Sequence, residues 1–414
     1  MANASIWVIS LVTIVAIILR PYKLNEAIWA VAGASALLVF GLILPADALK
    51  GILKGTDVYL FLTGMMLLAE TARQEKLFDW VASFAIKLSR GSAGRLFVLV
   101  YLAGVVVTIF LSNDATAVVL TPAVAAATKK ANLEKSLPFL FICAFVANAA
   151  SFVLPISNPA NLVIYQSHLP SLAIWMTQYS FPSAVAIVFT FVLLKYTQRK
   201  DLIQPIQSEN IQPKLLPGAR VALAGIAFTS VVLLFCSALG IQLGLPTFIT
   251  GIVTSSIMIT RSRKNPFKVI KEISWPILLL VAGLFVIVEG LAKTDIIQHL
   301  SFLLQQSVVN SETSSVWISG LSTAYGSNLL NNLPAGLIMG NVLEPNHFPP
   351  IIKRAILIGT DLGPNLSVTG SLATILWLAV LRREGYEITG WKFFKFGVIV
   401  MSITLLFVLA SLFL

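Results

Sequence analysis

The sequence predicts an all-α membrane protein with about ten transmembrane helices and two re-entrant hairpins, arranged as two repeats of inverted topology. The 414 residues are 57% hydrophobic and only 11% charged, whereas soluble domains carry about 25% charged residues. Apolar stretches long enough to cross a bilayer recur from end to end, for example at 275–291 and 396–414. Polar segments interrupt two of these stretches in each half of the chain.

The first repeat is predicted over residues 1–198. Its uninterrupted apolar spans lie at 5–19, 27–44, 58–72 and 174–194. Residues 77–89 form an amphipathic stretch between the third span and the first hairpin. The two interrupted segments are a hairpin over about 96–128, broken at 112–114, and a span over 137–165, broken at 157–161.

The second repeat is predicted over residues 218–414, after a hydrophilic cytoplasmic linker at 199–217. Its uninterrupted spans lie at 221–239, 246–260, 276–291 and 393–414. The interrupted segments are a hairpin over about 316–343, broken at 327–334, and a span over 351–381, which carries Gly359–Asp361 and Thr369–Ser371. Three motif pairs align at offsets of 219, 218 and 212 residues, namely Glu70 with Glu289, Asn113 with Asn331, and Ser157 with Thr369. Offsets that stay nearly constant over three motifs indicate a duplication.

The basic residues predict the orientation of these repeats. If the N-terminus lies outside, the cytoplasmic segments hold most of the Lys and Arg, including the cluster at 261–271. Of the 29 basic residues, the five left outside are Lys50, Lys54, Lys293, Lys353 and Arg354. This excess of positive charge inside is the normal pattern of membrane proteins. The first hairpin then opens to the cytoplasm and the second to the periplasm, so the halves are inverted.

The polar interruptions predict a solute site. Backbone at membrane depth must be hydrogen-bonded internally or line a water-filled cavity, and secondary transporters place their sites at such breaks between inverted repeats. The alternative is that each break is an aqueous loop between two short spans. The predicted site residues are mostly amides and hydroxyls: Asn113, Thr116, Ser157, Asn158, Asn161, Asn328, Asn331, Asn332, Thr369, Gly370 and Ser371. Amides and helix N-termini can bind anions, but a site without Lys, Arg or His suits a neutral polyhydroxy solute or a small cation.

Four carboxyl groups lie within the predicted spans, at Asp114, Asp361, Glu70 and Glu289. Ionisable residues inside a membrane are candidates for function, and burial favours the neutral form of a carboxyl. Asp114 and Asp361 lie beside the predicted site, so we expect them to carry protons. Glu70 and Glu289 are related by the repeat, and they either contribute to proton coupling or act as structural carboxyls that cap a helix or meet a lysine.

Several other functions are disfavoured by the sequence. Cys143 and Cys236 lie in separate apolar spans, so we interpret them as small core residues and expect no thiolate metal site. His168 and His299 are isolated and lack metal-ligand spacing. No glycine-rich phosphate loop or nucleophile–base arrangement occurs, which predicts a transporter that is not an enzyme and uses no cofactor. The basic residues lie between apolar runs, a pattern that predicts the lipid bilayer and no nucleic acid as partner.

Four segments together resemble the ArsB family of bacterial arsenite efflux permeases, within the ion transporter superfamily. They are residues 56–66, 110–122, 143–161 and 325–334. The resemblance covers essentially the whole chain and implies a multi-pass protein of the cell inner membrane that exports arsenite and antimonite in exchange for protons. Two alternatives remain: a membrane subunit served by a soluble ArsA-type ATPase, or a superfamily member that carries another small solute or anion. Arsenite at neutral pH is mainly the neutral species As(OH)3, which agrees with a site of amides and hydroxyls.

Overall fold

The computed structural model describes most of the chain and is helical almost throughout. The described residues are 2–166, 169–206, 213–262, 265–344 and 348–414. Three predictions fall partly or wholly outside them: the middle of the linker at 207–212, residues 263–264 of the basic cluster, and His168.

The first half consists of helices that follow the predicted spans closely. They are α1 (Ala2–Leu19), α2 (Glu26–Val39), α3 (Pro45–Lys54), α4 (Thr56–Gln74), α5 (Leu77–Ser89), α6 (Ala93–Phe110), α7 (Asn113–Ala115), α8 (Thr121–Lys130), α9 (Leu137–Ala149), α10 (Pro159–Tyr165) and α11 (Leu172–Gln198). A π-helical segment, Thr116–Leu120, joins α7 to α8. Short 3-10 turns lie at Pro21–Lys23 and Pro155–Ser157.

The second half follows the same order of long, short and interrupted helices. They are α12 (Pro217–Ala238), α13 (Gly244–Ser262), α14 (Pro266–Glu272), α15 (Pro276–Ala292), α16 (Ile296–Asn310), α17 (Glu312–Leu330), α18 (Asn332–Leu343), α19 (Pro350–Leu362), α20 (Leu372–Arg383) and α21 (Gly390–Ala410). Short 3-10 turns lie at Gly363–Leu366 and Ser411–Phe413.

Three helices were not predicted from the sequence, namely α3, α14 and α16. Each carries polar residues among its apolar ones, so no continuous apolar run marks it. Tertiary contacts hold all three, since α3 packs on α15, α14 packs on α4, and α16 packs on α17 and α18. A second difference concerns the predicted span 351–381. Gly359–Asp361 lies within the continuous helix α19, and the true interruption is confined to residues after Leu362.

The helices have the dimensions and the surface of a membrane protein. By length and composition, four described helices can cross a bilayer, and two bent pairs, α3 with α4 and α15 with α16, raise this number to six. The apolar helices α1, α2, α9 and α18 are shorter than a full span. Large apolar side chains such as Leu11, Val188 and Val231 are more than half exposed on the outer helices, which is the surface that a bilayer covers.

Helices of each half pack directly against helices of the other half. The helix α4 of the first half packs on α13 of the second, and α15 of the second half packs on α2 of the first. In the α4–α13 contact a Cβ on Gly64 would clash with the carbonyl oxygen of Thr247, so only glycine permits this approach. The interrupted segments also cross over, since α10 packs on α18 and α20 packs on the π-helical segment. The polar breaks are therefore buried between the halves.

Candidate functional site

Each of the four polar interruptions ends at a residue that caps the next helix. The side chains of Ser112, Asn158, Asn331 and Ser371 accept hydrogen bonds from the backbone N–H groups at the starts of α7, α10, α18 and α20. Ser and Asn are preferred at this position because their oxygens satisfy otherwise unpaired N–H groups. The caps pair Ser112 with Asn331 and Asn158 with Ser371, one residue away from two of the sequence pairings. One role of the polar residues at the breaks is therefore to cap helices that begin within the predicted membrane region.

A buried carboxyl of the second half is held by two side chains of the first. Asp361 is completely buried on α19. Its Oδ2 accepts from the hydroxyl of Ser151 at 2.6 Å, and its Oδ1 accepts from Nδ2 of Asn158 at 2.8 Å. The predicted proton carrier Asp361 therefore contacts the predicted site residue Asn158 directly, across the interface between the halves.

A second group of buried side chains lies at the same interface. Asn148 donates through Nδ2 to Oδ1 of Asn365 at 3.0 Å, and Asn365 donates in turn to the carbonyl of Phe145 at 3.0 Å. The hydroxyl of Ser371 lies 3.2 Å from Oδ1 of Asn148. The interrupted span of the first half (137–165) is thus bound to the interrupted span of the second half (351–381) by amides and hydroxyls, all of them fully buried.

The tip of the second hairpin is hydrogen-bonded to the break in the interrupted span of the second half, at residues 363–370. Asn328 donates to the carbonyl of Gly363 at 2.9 Å, and the backbone N–H of Asn332 donates to the carbonyl of Gly370 at 2.8 Å. Asn331 donates to the carbonyl of Thr369 at 3.2 Å, and the hydroxyl of Thr369 donates to the carbonyl of Asn328 at 3.3 Å. A Cβ on Gly370 would lie 2.6 Å from Oδ1 of Asn328, so the close contact needs glycine.

The tip of the first hairpin is held mainly by local bonds. Asn113 accepts from the backbone N–H of Asp114 at 2.9 Å, and the hydroxyls of Thr116 and Thr108 lie 2.8 Å apart. Ser157 donates to the carbonyl of Ile109 at 3.1 Å, and this bond connects the hairpin to the break at 157–161. Asn161 donates to the carbonyl of Ser151, while its buried Oδ1 has no partner within the described part of the chain.

A cavity of about 70 Å³ lies beside the first hairpin tip. Its polar lining consists of three carboxyls and two hydroxyls: Asp114, Glu70, Glu272, Ser112 and Ser274. The rest is apolar, including Met65, Met66 and Pro159, and no described lining residue is basic. Among the hydrogen bonds of the described residues none involves the Asp114 carboxylate, so this group is available to a solute or a proton.

The Glu70 end of this cavity carries an ion-pair cluster. Arg73 contacts both oxygens of Glu70 at 2.8 Å and reaches Glu272 at 2.7 Å. The cluster lies at the end of α4 that the charge distribution predicts to be cytoplasmic. The cavity beside Asp114 thus extends toward the predicted cytoplasmic side.

A second cavity of about 260 Å³ lies at the other end of α4. Its lining includes Asp57, Gln166, Asn341 and Glu344, together with Glu289, which pairs with Lys54 at 2.9 Å. Asp57 and Glu70 are 13 positions apart on one helix, which separates the cavities by about 20 Å along its axis. Glu70 and Glu289 both take part in ion pairs, as the structural alternative expects, and their role in proton coupling stays a prediction.

The cysteines lie away from the cavity beside Asp114. Cys143 is completely buried on α9, and Cys236 is partly buried on α12. Neither lines this cavity. Both pack among apolar core side chains.

Sequence reasoning missed Asn148, Ser151 and Asn365 as members of the buried network. Asn148 and Asn365 are 217 positions apart, whereas the motifs of the same two spans align at an offset of 212, so the repeat does not pair them. Their signal is that they are polar residues within the interrupted spans. Glu272 and the methionines of α4 carried no comparable signal, because only the folded packing brings them to the cavity.

Interrupted helices that meet between two halves, with cavities at opposite ends of one helix, define a multi-pass membrane transporter. The family model described as "Citrate transporter" (CitMHS) matches residues 14–347, and the chain belongs to this family. It is 29% identical to the arsenical pump membrane protein of Escherichia coli K12, over 97% of this chain and 96% of that one. It is 27% identical to the arsenical pump membrane protein of Yersinia enterocolitica, over 80% of each chain.

The fold matches that of a transporter of known structure. The crystal structure of the Alcanivorax borkumensis YdaH transporter superposes with a TM-score of 0.56 at 15% identity. The match covers 88% of this chain and 86% of that one. The prediction of an all-helical membrane transporter is therefore confirmed, as is the resemblance to the arsenical pumps.

Proposed function

We propose that this transporter exports arsenite and antimonite across the cell inner membrane in exchange for protons. The observation that carries the proposal is the cavity beside Asp114, which offers carboxyls, hydroxyls and no basic side chain among its described residues. A neutral trihydroxy solute such as As(OH)3 can donate its three O–H groups to such acceptors. The similarity to arsenical pump membrane proteins over nearly the whole chain supports the same substrate.

Citrate fits this cavity less well, although the family model bears its name. A citrate trianion brought beside Asp114, Glu70 and Glu272 meets like charge at short range, which costs free energy in a partly desolvated site. Arg73, which contacts two of these carboxyls, is already paired with both of them. A neutral solute avoids this repulsion altogether.

The proposed mechanism assigns protons to Asp114 and Asp361. Asp114 faces the cavity predicted to open to the cytoplasm, and Asp361 joins the two halves through Asn158 and Ser151. Relative motion of the halves would expose the site to the other side. One proton that moves inward across 100 mV releases about 2.3 kcal/mol, which can drive export of a neutral solute.

Two features support an inverted repeat as the basis of this motion. The contact of α4 with α13 corresponds to the contact of α15 with α2, because each joins a helix that carries one of the aligned residues Glu70 and Glu289 to a helix of the other half. The cavities at Glu70 and Glu289 lie at opposite ends of the α4 axis and use residues of related sequence position. Alternating access in such transporters comes from movement of one repeat-built body against the other.

The substrate is tested by flux into everted membrane vesicles that contain the protein. Arsenite and antimonite should accumulate when the lumen is acidic and positive, without ATP and without an added ATPase. Citrate, succinate, silicate and sodium serve as competitors and as alternative substrates. Citrate accumulation without arsenite accumulation would reject the proposal, and a strict need for ATP and a partner ATPase would favour the pump-subunit alternative.

The double variant Cys143→Ser with Cys236→Ser is expected to retain most of the arsenite transport. Both thiols lie outside the cavity beside Asp114, so they are not needed to bind the solute. The measurement is arsenite uptake into everted vesicles, normalised to the amount of folded protein. If the double variant folds but transports nothing, arsenic is bound by thiolates and the proposed site chemistry is wrong.

A further inference from the structure

A basic groove lies between the end of α11 and the start of α21, and it shares no lining residue with the cavities beside Asp114 and Glu289. Its lining carries four cations and an apolar floor, and the cavity measures about 500 Å³. The lining residues are Tyr196, Thr197, Arg199, Lys200, Lys392, Lys395, Phe396 and Ile399. No carboxyl group lines it within the described part of the chain, so the groove is an electropositive pocket.

The cations of the groove differ from other basic residues on the same predicted side. Lys129 is paired with Glu384, and Lys135 with Asp201, at 3.1 and 2.7 Å. Among the described residues no ion pair involves Arg199, Lys200, Lys392 or Lys395. Two of the four lie against aromatic rings: Arg199 is 4.4 Å from the ring centre of Tyr196, and Lys395 is 5.5 Å from that of Trp391. Unpaired charge held beside rings is available to an anionic ligand.

The groove continues into a surface that lipid covers. Tyr196 and Trp391 are 59% and 64% exposed, and such rings are enriched at the interface of membrane and water. Toward the membrane interior, α11 and α21 remain in contact through the stacked rings of Phe189 and Phe407. Exposed apolar side chains border this contact, including Val192 and Ile403. The groove therefore presents charge at the headgroup level and an apolar furrow below it.

We propose that this groove is a binding site for an anionic phospholipid of the cytoplasmic leaflet. The phosphate would pair with the cations from both helices, and the acyl chains would lie along the apolar furrow. Basic pockets between membrane helices on the cytoplasmic side suit such headgroups. A headgroup with two phosphates should bind most tightly, because Arg199 and Lys200 come from one helix end and Lys392 and Lys395 from the other. The site is independent of the proposed substrate.

The test is thermal unfolding of the purified protein in detergent, titrated with cardiolipin, phosphatidylcholine or inorganic phosphate. Cardiolipin should raise the midpoint temperature in a saturable manner, while phosphatidylcholine and inorganic phosphate should not. In the variant R199Q/K200Q/K392Q/K395Q we expect the apparent affinity for cardiolipin to fall at least about tenfold. The matched control K87Q/R95Q/K130Q/R383Q removes four exposed cations elsewhere on the same predicted side and should respond like the wild type.

Three results would overturn the proposal. One is equal stabilisation of the groove variant and the wild type by cardiolipin. Another is an equal loss of affinity in the control variant, because general surface charge would then explain binding. The third is stabilisation of the wild type by inorganic phosphate alone, since the ligand would be a free anion. The wild-type comparison of lipid with phosphate holds even if the groove variant does not fold.

Discussion

Replacement of Asp114 by asparagine is expected to abolish the accumulation of arsenite driven by a membrane potential. With one proton exchanged per neutral solute, 100 mV can sustain a concentration ratio of about 50, since about 2.3 kcal/mol corresponds to 1.7 powers of ten. The amide that replaces the carboxyl cannot take up and release a proton during transport. The ratio in everted vesicles should therefore fall from as much as about 50 to about 1.

The structure explains why this substitution should affect coupling more than folding. The Asp114 carboxylate lines the cavity, and among the described residues its side chain takes part in no ion pair or hydrogen bond. An amide of nearly the same size fits the same space, so the midpoint of unfolding should hardly change. A suitable control is Asp79→Asn on the exposed face of α5, which should transport normally. Undiminished accumulation in Asp114→Asn would remove this residue from the proton path.

Replacement of Asp361 by alanine is expected to have the second largest effect, on stability and transport together. The change leaves the buried Asn158 amide without its acceptor, while the Ser151 hydroxyl can still donate to the Asn148 carbonyl at 2.8 Å. An unsatisfied buried group costs about 1–3 kcal/mol, so thermal unfolding in detergent should shift to a lower temperature. The control is Thr360→Val, because the Thr360 hydroxyl bonds only to the Ile356 carbonyl of its own helix among described residues.

The variant Asp361→Asn separates charge from packing. Its oxygen can accept from Asn158, and its NH2 group can donate to the Ser151 hydroxyl, so both contacts can be kept. We expect near-normal unfolding and a loss of proton-coupled transport. If Asp361→Asn transports like the wild type, Asp361 is a structural carboxyl and Asp114 alone carries the proton.

The interruptions of the spans could be predicted because particular residue types mark them. Pro159 has no backbone N–H and disrupts a helix interior, and the Asn and Ser residues at the breaks are helix caps. Breaks were therefore expected near Ser112, Asn158, Asn331 and Ser371, where the structure has them. Polar residues at membrane depth are costly, so the sequence rarely places them without a structural reason.

The composition of the cavity could not be predicted in the same way. Met65 and Met66 read as ordinary apolar residues of a span, and Glu272 lies in a short helix that no apolar periodicity marks. Their position beside Asp114 follows from the packing of α4 on α13 and α14, which is a tertiary property. The helix α16 was missed for a related reason, because contacts with its neighbours stabilise it and not an apolar run of its own.

The proposed mechanism requires that the two halves form inverted cavities at opposite faces of the membrane. Labelling of single cysteines in the Cys143→Ser, Cys236→Ser background tests it directly. Val118→Cys lines the cavity beside Asp114, and Asn341→Cys lines the cavity beside Glu289. A membrane-impermeant maleimide should label Val118→Cys only in everted vesicles and Asn341→Cys only in right-side-out vesicles. Labelling of both positions from the same face would contradict the inverted arrangement and the transport path built on it.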